Sequence, residues 1–150
     1  MPAIKRTTVS HPDFKSLVAE LDAELWVRYP AIQQNFAQHN QMDERARVVV
    51  AYLDNKQIGC GCFRYMDEKT IEIKRMYVCP QARGQRIGEF ILTELETWGV
   101  EEGFKHAKLE TGLNQPEAIS LYKRCGYQLI RNYPPYTHIS ESICMAKALA

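Results

Sequence analysis

From Arg47 to Val78 apolar residues recur at strand spacing, and directly beyond at helix spacing, and this change of period constrains the fold more than any other feature. Three consecutive strand-like runs lead directly into the change. Residues 47–53 contain Val48-Val49-Val50, Asp54-Asn55-Lys56 reads as a turn, and residues 57–65 run back, so the pair is expected to form a hairpin. A second turn at Asp67-Glu68-Lys69 leads into a strand over residues 70–78. Three antiparallel strands in succession make a meander. Beyond it, Ile87, Ile91, Leu95 and Trp98 mark a helix that runs to about Glu102 and stops at Gly103. Residues 106–111 return to strand spacing. Pro116 then opens a helix over 116–124, where its missing N–H does no harm in the first turn, and Gly126 closes it. Strands over 127–131 and 142–147 flank a loop, 132–141.

Residues 4–9 read as a first strand. Ser10, His11 and Pro12 open a helix, with Asp13 three positions after Ser10 in the manner of a capping box. Phe14, Leu17, Val18, Leu21 and Leu25 give that helix one apolar face. Tyr29-Pro30 ends it, because a residue before proline leaves the helical region. Residues 31–39 read as a second, short helix, with Ile32 and Phe36 one turn apart. The predicted order is β-α-α-β-β-β-α-β-α-β-β, a mixed α/β sheet, antiparallel at first and then crossed by two helices. A chain of 150 residues without repeats or a dividing linker fits one domain spanning 1–150.

Composition narrows the function. Nineteen basic and eighteen acidic side chains leave a net charge of +1, without the basic excess of a nucleic-acid binder. The first ten residues carry charges and no apolar core of a signal peptide. No run approaches the length of a membrane span, and the expected location is the cytoplasm. The cysteines, Cys60, Cys62, Cys79, Cys125 and Cys144, are odd in number and irregular in spacing, which reads as small buried side chains in a reducing compartment. His11, His39, His106 and His138 are scattered, with no metal-ligand spacing.

Two segments carry chemistry. The first is Val78-Cys79-Pro80-Gln81-Ala82-Arg83-Gly84-Gln85-Arg86-Ile87-Gly88, between a strand end and a helix start. Backbone N–H groups there have no intrahelical acceptor, and the helix dipole adds positive charge, which together suit phosphate oxygens. Gly84 and Gly88 allow close approach, and Arg83 and Arg86 add cations. The loop is neither a P-loop nor a dinucleotide fingerprint, and a solvated turn accounts for it equally well when it is read alone. The second segment runs from Asn114 to Tyr127, with Ala118 one turn before Tyr122. Tyr122 either presents its hydroxyl to a ligand between the two helices or packs on the sheet.

In this order and at this spacing the two segments resemble the GNAT N-acetyltransferases. The resemblance covers roughly residues 48–147 and is strongest over 72–127. It implies the GNAT acyl-CoA N-acyltransferase fold, acetyl-CoA as cofactor, and direct transfer of acetyl to an amine. Met76, Tyr77 and Val78 match the strand that presents main-chain groups to the pantetheine arm. Arg83, Gly84, Gln85, Arg86, Ile87 and Gly88 match the pyrophosphate loop, with Arg86 in place of the pattern's middle glycine. Tyr122 matches the general acid, Asn114 a position that fixes the cofactor arm or a water, and Glu72 a catalytic glutamate acting as base. Glu72 also reads as a strand-face carboxylate paired with Arg75 or Lys74. The acceptor is expected to be a small amine, walled by the first helices and by Asn132-Tyr133-Pro134-Pro135-Tyr136, with Glu110 or Glu141 available to a cationic group. The alternatives are a non-catalytic acyl-CoA sensor and a protein acetyltransferase. Relatives are commonly dimers, so a homodimer stays open.

Overall fold

Seven strands form one sheet in the order β1-β2-β3-β4-β5-β7-β6. They are β1 (Ala3–Thr7), β2 (Arg47–Leu53), β3 (Lys56–Tyr65), β4 (Thr70–Val78), β5 (His106–Gly112), β6 (Gln128–Ile130) and β7 (Ser142–Ala148). The helices among the described residues are α1 (Pro12–Arg28), α2 (Ile87–Glu101) and α3 (Pro116–Arg124), with a 3-10 turn at Pro80–Ala82. This is a computed structural model that describes residues 1–28 and 43–149. The predicted helix over 31–39 and the Tyr29-Pro30 stop lie outside the described residues.

Local chemistry explains most boundaries. Asp54 and Asn55 take positive φ, 52° and 65°, which gives the β2–β3 hairpin the two-residue turn whose twist matches the strands. Helix α1 begins at Pro12, and its cap is His11 rather than Ser10. The Asp13 N–H donates to His11 Nδ1 at 3.1 Å, while Ser10 Oγ bonds Thr8 Oγ1 at 3.0 Å. The Asp13 carboxylate is thereby left to accept from Tyr52 Oη at 2.6 Å, which ties α1 to β2.

The sheet is apolar on both faces. On one, Phe14, Leu17 and Leu21 of α1 meet Val48, Val50, Cys60, Cys62 and Tyr77. On the other, Ile87, Ile91, Leu92 and Leu95 of α2 meet Val49, Phe63, Ile71, Ile73 and Leu109. All five cysteines are free, and four of them are buried.

Two irregularities in β4 position the site. Strands β4 and β5 run parallel and pair from Thr70–His106 to Ile73–Leu109, then part. On its other side β4 pairs with β3, where Cys60 faces Tyr77 and Cys62 faces Lys74. Gly61 alone therefore stands opposite two residues, Arg75 and Met76, which makes a β-bulge. Arg75 takes the left-handed φ of 58° that the bulge requires. Gly61 permits it, because a Cβ there would lie 2.5 Å from Met76 Sδ. The extra residue shifts the strand's phase: Ile71 and Ile73 face α2, and beyond the bulge so do Met76 and Val78. Bent away from β5 at the bulge, β4 has no strand partner on that edge beyond Ile73 among the described residues.

Candidate active site

Two cavities occupy the parting of β4 and β5. A groove of about 490 Å³ runs between the free edge of β4 and helices α2 and α3, and includes Met76, Tyr77, Val78, Arg83, Gly84, Arg86, Ile87 and Gly88. A narrower cavity of about 90 Å³ lies deeper, lined by Leu21 and Leu25 of α1, Glu72, Lys74 and Arg75 of β4, Glu110 and Thr111 of β5, and Tyr136. Leu21, Met76, Gln115, Ala118 and Tyr122 line both. The two cavities therefore meet at Tyr122.

The outer groove ends on a run of backbone donors. From Gly84 to Glu89 no backbone N–H donates to another described group, and the helical ladder resumes with Phe90 N–H to Arg86 O at 3.1 Å. Six successive donors at a helix start suit an anion. The two glycines serve different ends. Gly84 takes a φ of 85° with nothing within 4 Å of a notional Cβ, so it is the backbone turn that selects glycine. At Gly88 a Cβ would lie 3.1 Å from Leu121 Cδ2, so glycine there lets α2 approach α3. Arg86 is the N-cap of α2 at φ 63°, a conformation that glycine adopts without strain. Its side chain is 82% exposed, lies 3.9 Å from Glu89 and borders the groove. Arg83 is tied down, donating through Nε to Val78 O at 2.9 Å and through Nη2 to Glu24 at 3.0 Å.

Tyr122 is buried and stacks edge-on against Tyr127, with ring centroids 5.9 Å apart. Burial raises its phenol, and the nearby Glu110 raises it further, so the hydroxyl keeps its proton well above neutral pH. No described group hydrogen-bonds to it.

In the inner cavity the polar residues share one face of the sheet. Glu72 and Lys74 alternate with Ile71 and Ile73, and Glu110 alternates with Leu109, so all three turn away from α2. Their surroundings differ. Glu72 is 1% exposed and both of its oxygens are engaged. Oε1 accepts from Arg64 Nε at 2.5 Å and lies 3.9 Å from Lys74 Nζ; Oε2 accepts from Tyr133 Oη at 2.6 Å. Lys74 donates to Tyr136 Oη at 3.1 Å, and burial lowers its ammonium. Among the described residues Glu110 Oε2 is buried without a hydrogen-bond partner. Burial pushes that carboxyl from its ordinary 4.5 up to about 7, against the pull of Ser142 and Lys74.

The chain that builds this site matches a known family. The model of the acetyltransferase (GNAT) family covers residues 11–127. The chain belongs to the GNAT acetyltransferase family. An IAA acetyltransferase of Azospirillum brasilense is 33% identical over 135 residues, 89% of this chain and 88% of that protein. A Klebsiella pneumoniae protein provisionally named an acyl-CoA N-acyltransferase superposes with a TM-score of 0.85 at 30% identity, over 100% of this chain and 99% of its own. A GNAT family acetyltransferase of Elizabethkingia anophelis, solved with acetyl-CoA bound, superposes at a TM-score of 0.70 and 18% identity, over 98% and 97% of the two chains.

Of the residues singled out in the sequence, this GNAT fold gathers Met76 to Val78, Arg83, Gly84, Arg86 to Gly88 and Tyr122 around the groove, and Glu72 with Glu110 around the inner cavity. Gln85 belongs to the donor run. Asn114 lines neither cavity; its amide donates to Arg28 O at 3.3 Å and its carbonyl accepts from Arg28, joining the end of α1 to the β5–α3 turn. Glu141 also lies outside both, whereas Tyr136 walls the inner cavity. Sequence reading missed Gln115, which lines both cavities and accepts from the Gly112 N–H at 3.3 Å. It missed Arg64 too, although the β3–β4 register sets Arg64 directly opposite Glu72. Arg75 pairs with Asp22 at 2.7 Å rather than with Glu72.

Proposed function

We propose that the chain transfers acetyl from acetyl-CoA to the primary amine of a small-molecule acceptor. The observation that carries this reading is the meeting of the two cavities at Tyr122, one bordered by backbone donors and the other by carboxylates. Residues 84–89 suit the pyrophosphate, and the free edge of β4 at Met76, Tyr77 and Val78 suits the amide-bearing pantetheine arm. The fit rests on unpaired donors where phosphate oxygens are needed and an open strand edge where an amide chain is needed. Acetyl-CoA supplies an activated acyl group on a sulfur leaving group.

The chain's own residues supply the rest. Tyr122, its proton held by burial, gives that proton to the departing sulfur. Leu21 and Met76 give the junction apolar walls. A carboxylate of the inner cavity receives the cationic amine. The inner cavity, at about 90 Å³, suits a small acceptor better than a polypeptide, and the Azospirillum relative is named for one, IAA.

The test is release of free CoA from acetyl-CoA across a panel of primary amines, with the product identified by mass spectrometry. Turnover of a small amine at pH 7 to 8 supports the reading. Binding of acetyl-CoA without turnover of any amine would make the chain an acyl-CoA sensor, and turnover of peptides alone would make it a protein acetyltransferase.

A further inference from the structure

The inner cavity holds two carboxylates, and only Glu72 has both oxygens hydrogen-bonded. Glu72 accepts from Arg64 on one oxygen and from Tyr133 on the other, so each oxygen already has a partner inside the fold. Glu110 is one residue past Leu109, the last β5 residue paired with β4, and among the described residues its Oε2 has no hydrogen-bond partner. Its isolation follows from the fold: β4 bends away at the Arg75–Met76 bulge, and the place beside Glu110 that a neighbouring strand would fill is cavity instead. A buried carboxylate oxygen without a partner is costly, and it is found where a ligand completes the set.

We propose that Glu110, and not Glu72, receives the acceptor amine and takes its proton, and that Glu72 is a positioning residue. The assignment rests on the acetyl-transfer reading above. In the step, the ammonium gives one proton to Glu110. The freed lone pair forms the C–N bond to the acetyl carbon as the C–S bond breaks. The departing sulfur takes the Tyr122 proton, and the phenolate recovers one from the nitrogen. The charge balances, with the proton on Glu110 released to solvent after product leaves. Glu72 acts through others. Through Tyr133 it anchors the loop between β6 and β7, and through Lys74 it is linked to Tyr136 on the wall of the same cavity.

The groups facing Glu110 are Lys74 and Glu72 from β4, Tyr122 from α3, Tyr136 from the loop, and Ser142 and Cys144 from β7. Lys74 and Ser142 favour its charged form, while burial and Glu72 oppose it. The balance leaves a carboxylate able both to accept and to release a proton near neutral pH.

The test compares two amines as probes. Propylamine is protonated at pH 7 and needs a base; hydroxylamine is already neutral and does not. With propylamine, Glu110→Gln is expected to lower kcat/KM about 100-fold and to remove the fall in rate on the acid side of neutrality. With hydroxylamine the loss is less than about threefold, because the pre-attack proton transfer is no longer needed. Glu72→Gln keeps an acid limb with propylamine, moved to lower pH because a charge opposing the ionised Glu110 is gone, whatever its overall rate. A second measurement needs no turnover: carboxyl-carbon NMR of the protein labelled at glutamate should show one resonance titrating near neutral pH in the wild type and absent from Glu110→Gln. Equal losses with the two amines, an acid limb removed by Glu72→Gln instead, or a near-neutral resonance that survives Glu110→Gln would each overturn the assignment. Failure of the acetyl-transfer reading itself would look different, with no turnover of either amine by wild-type protein.

Discussion

Tyr133 and Glu72 are 61 positions apart, yet the Tyr133 hydroxyl donates to Glu72 Oε2 at 2.6 Å in the interior. The contact ties the loop that walls the inner cavity to the strand that bends around it. Burial and the carboxylate together raise the Tyr133 phenol, so this bond stays made across the working pH range.

Tyr133→Phe should therefore cost stability as well as loop order. It removes a donor from a buried carboxylate, a loss of about 2 kcal/mol. Urea unfolding of Tyr133→Phe, Glu72→Gln and the double variant should give a coupling energy of about 1 kcal/mol or more. Simple additivity would mean that the two side chains act independently.

Glu110 makes a pH-dependent prediction with a definite sign. Its folded pKa of about 7 lies above the ordinary 4.5. Between those values the native state holds more protons than the unfolded state, so stability falls as pH rises through the window. Glu110→Gln removes the titration. Its stability relative to wild type should be flat below pH 4.5 and grow by about 3 kcal/mol towards pH 8. An advantage independent of pH would contradict the buried, unpartnered carboxyl.

The two glycines of the donor loop should respond differently to alanine. Gly84→Ala forces a side chain into left-handed backbone at a cost of about 1–2 kcal/mol that no neighbouring substitution relieves. Gly88→Ala meets Leu121 Cδ2 at 3.1 Å, and Leu121→Ala should recover much of the loss by vacating that space. Thermal melts of the singles and doubles check both.

Tyr122→Phe keeps the ring and loses the hydroxyl. It should lower kcat about 100-fold while leaving the Kd for acetyl-CoA unchanged. Because the phenol is raised, the wild-type rate should show no basic limb from this residue below pH 10. An unchanged kcat would remove Tyr122 from proton transfer.

Much of this was legible from residue order. The strands over 47–53 and 70–78 and the helix over 116–124 match their observed bounds, because valine runs, turn residues and a first-turn proline act locally. The donor loop was legible for the same reason. The bulge was not. Arg75 carries no signal of left-handed backbone, and the irregularity exists only in the pairing of β4 with β3. What depends on the bulge was hidden with it: the phase shift at Met76, the parting of β4 from β5, and the isolation of Glu110. Arg64 was within reach, since it mirrors Glu72 across the turn at Asp67-Glu68-Lys69. The cap of α1 went to His11 because its imidazole reaches the Asp13 N–H, leaving Ser10 to Thr8.

The central claim is that the groove between β4, α2 and α3 holds acetyl-CoA, and calorimetric titration with acetyl-CoA tests it most directly, with pantetheine as the comparison lacking phosphate. Acetyl-CoA should bind in the micromolar range or tighter, and pantetheine more weakly by a factor of about 10 or more, because the donor run at residues 84–89 then has nothing to hold. No heat from acetyl-CoA with folded protein, or equal affinity for the two, would contradict it.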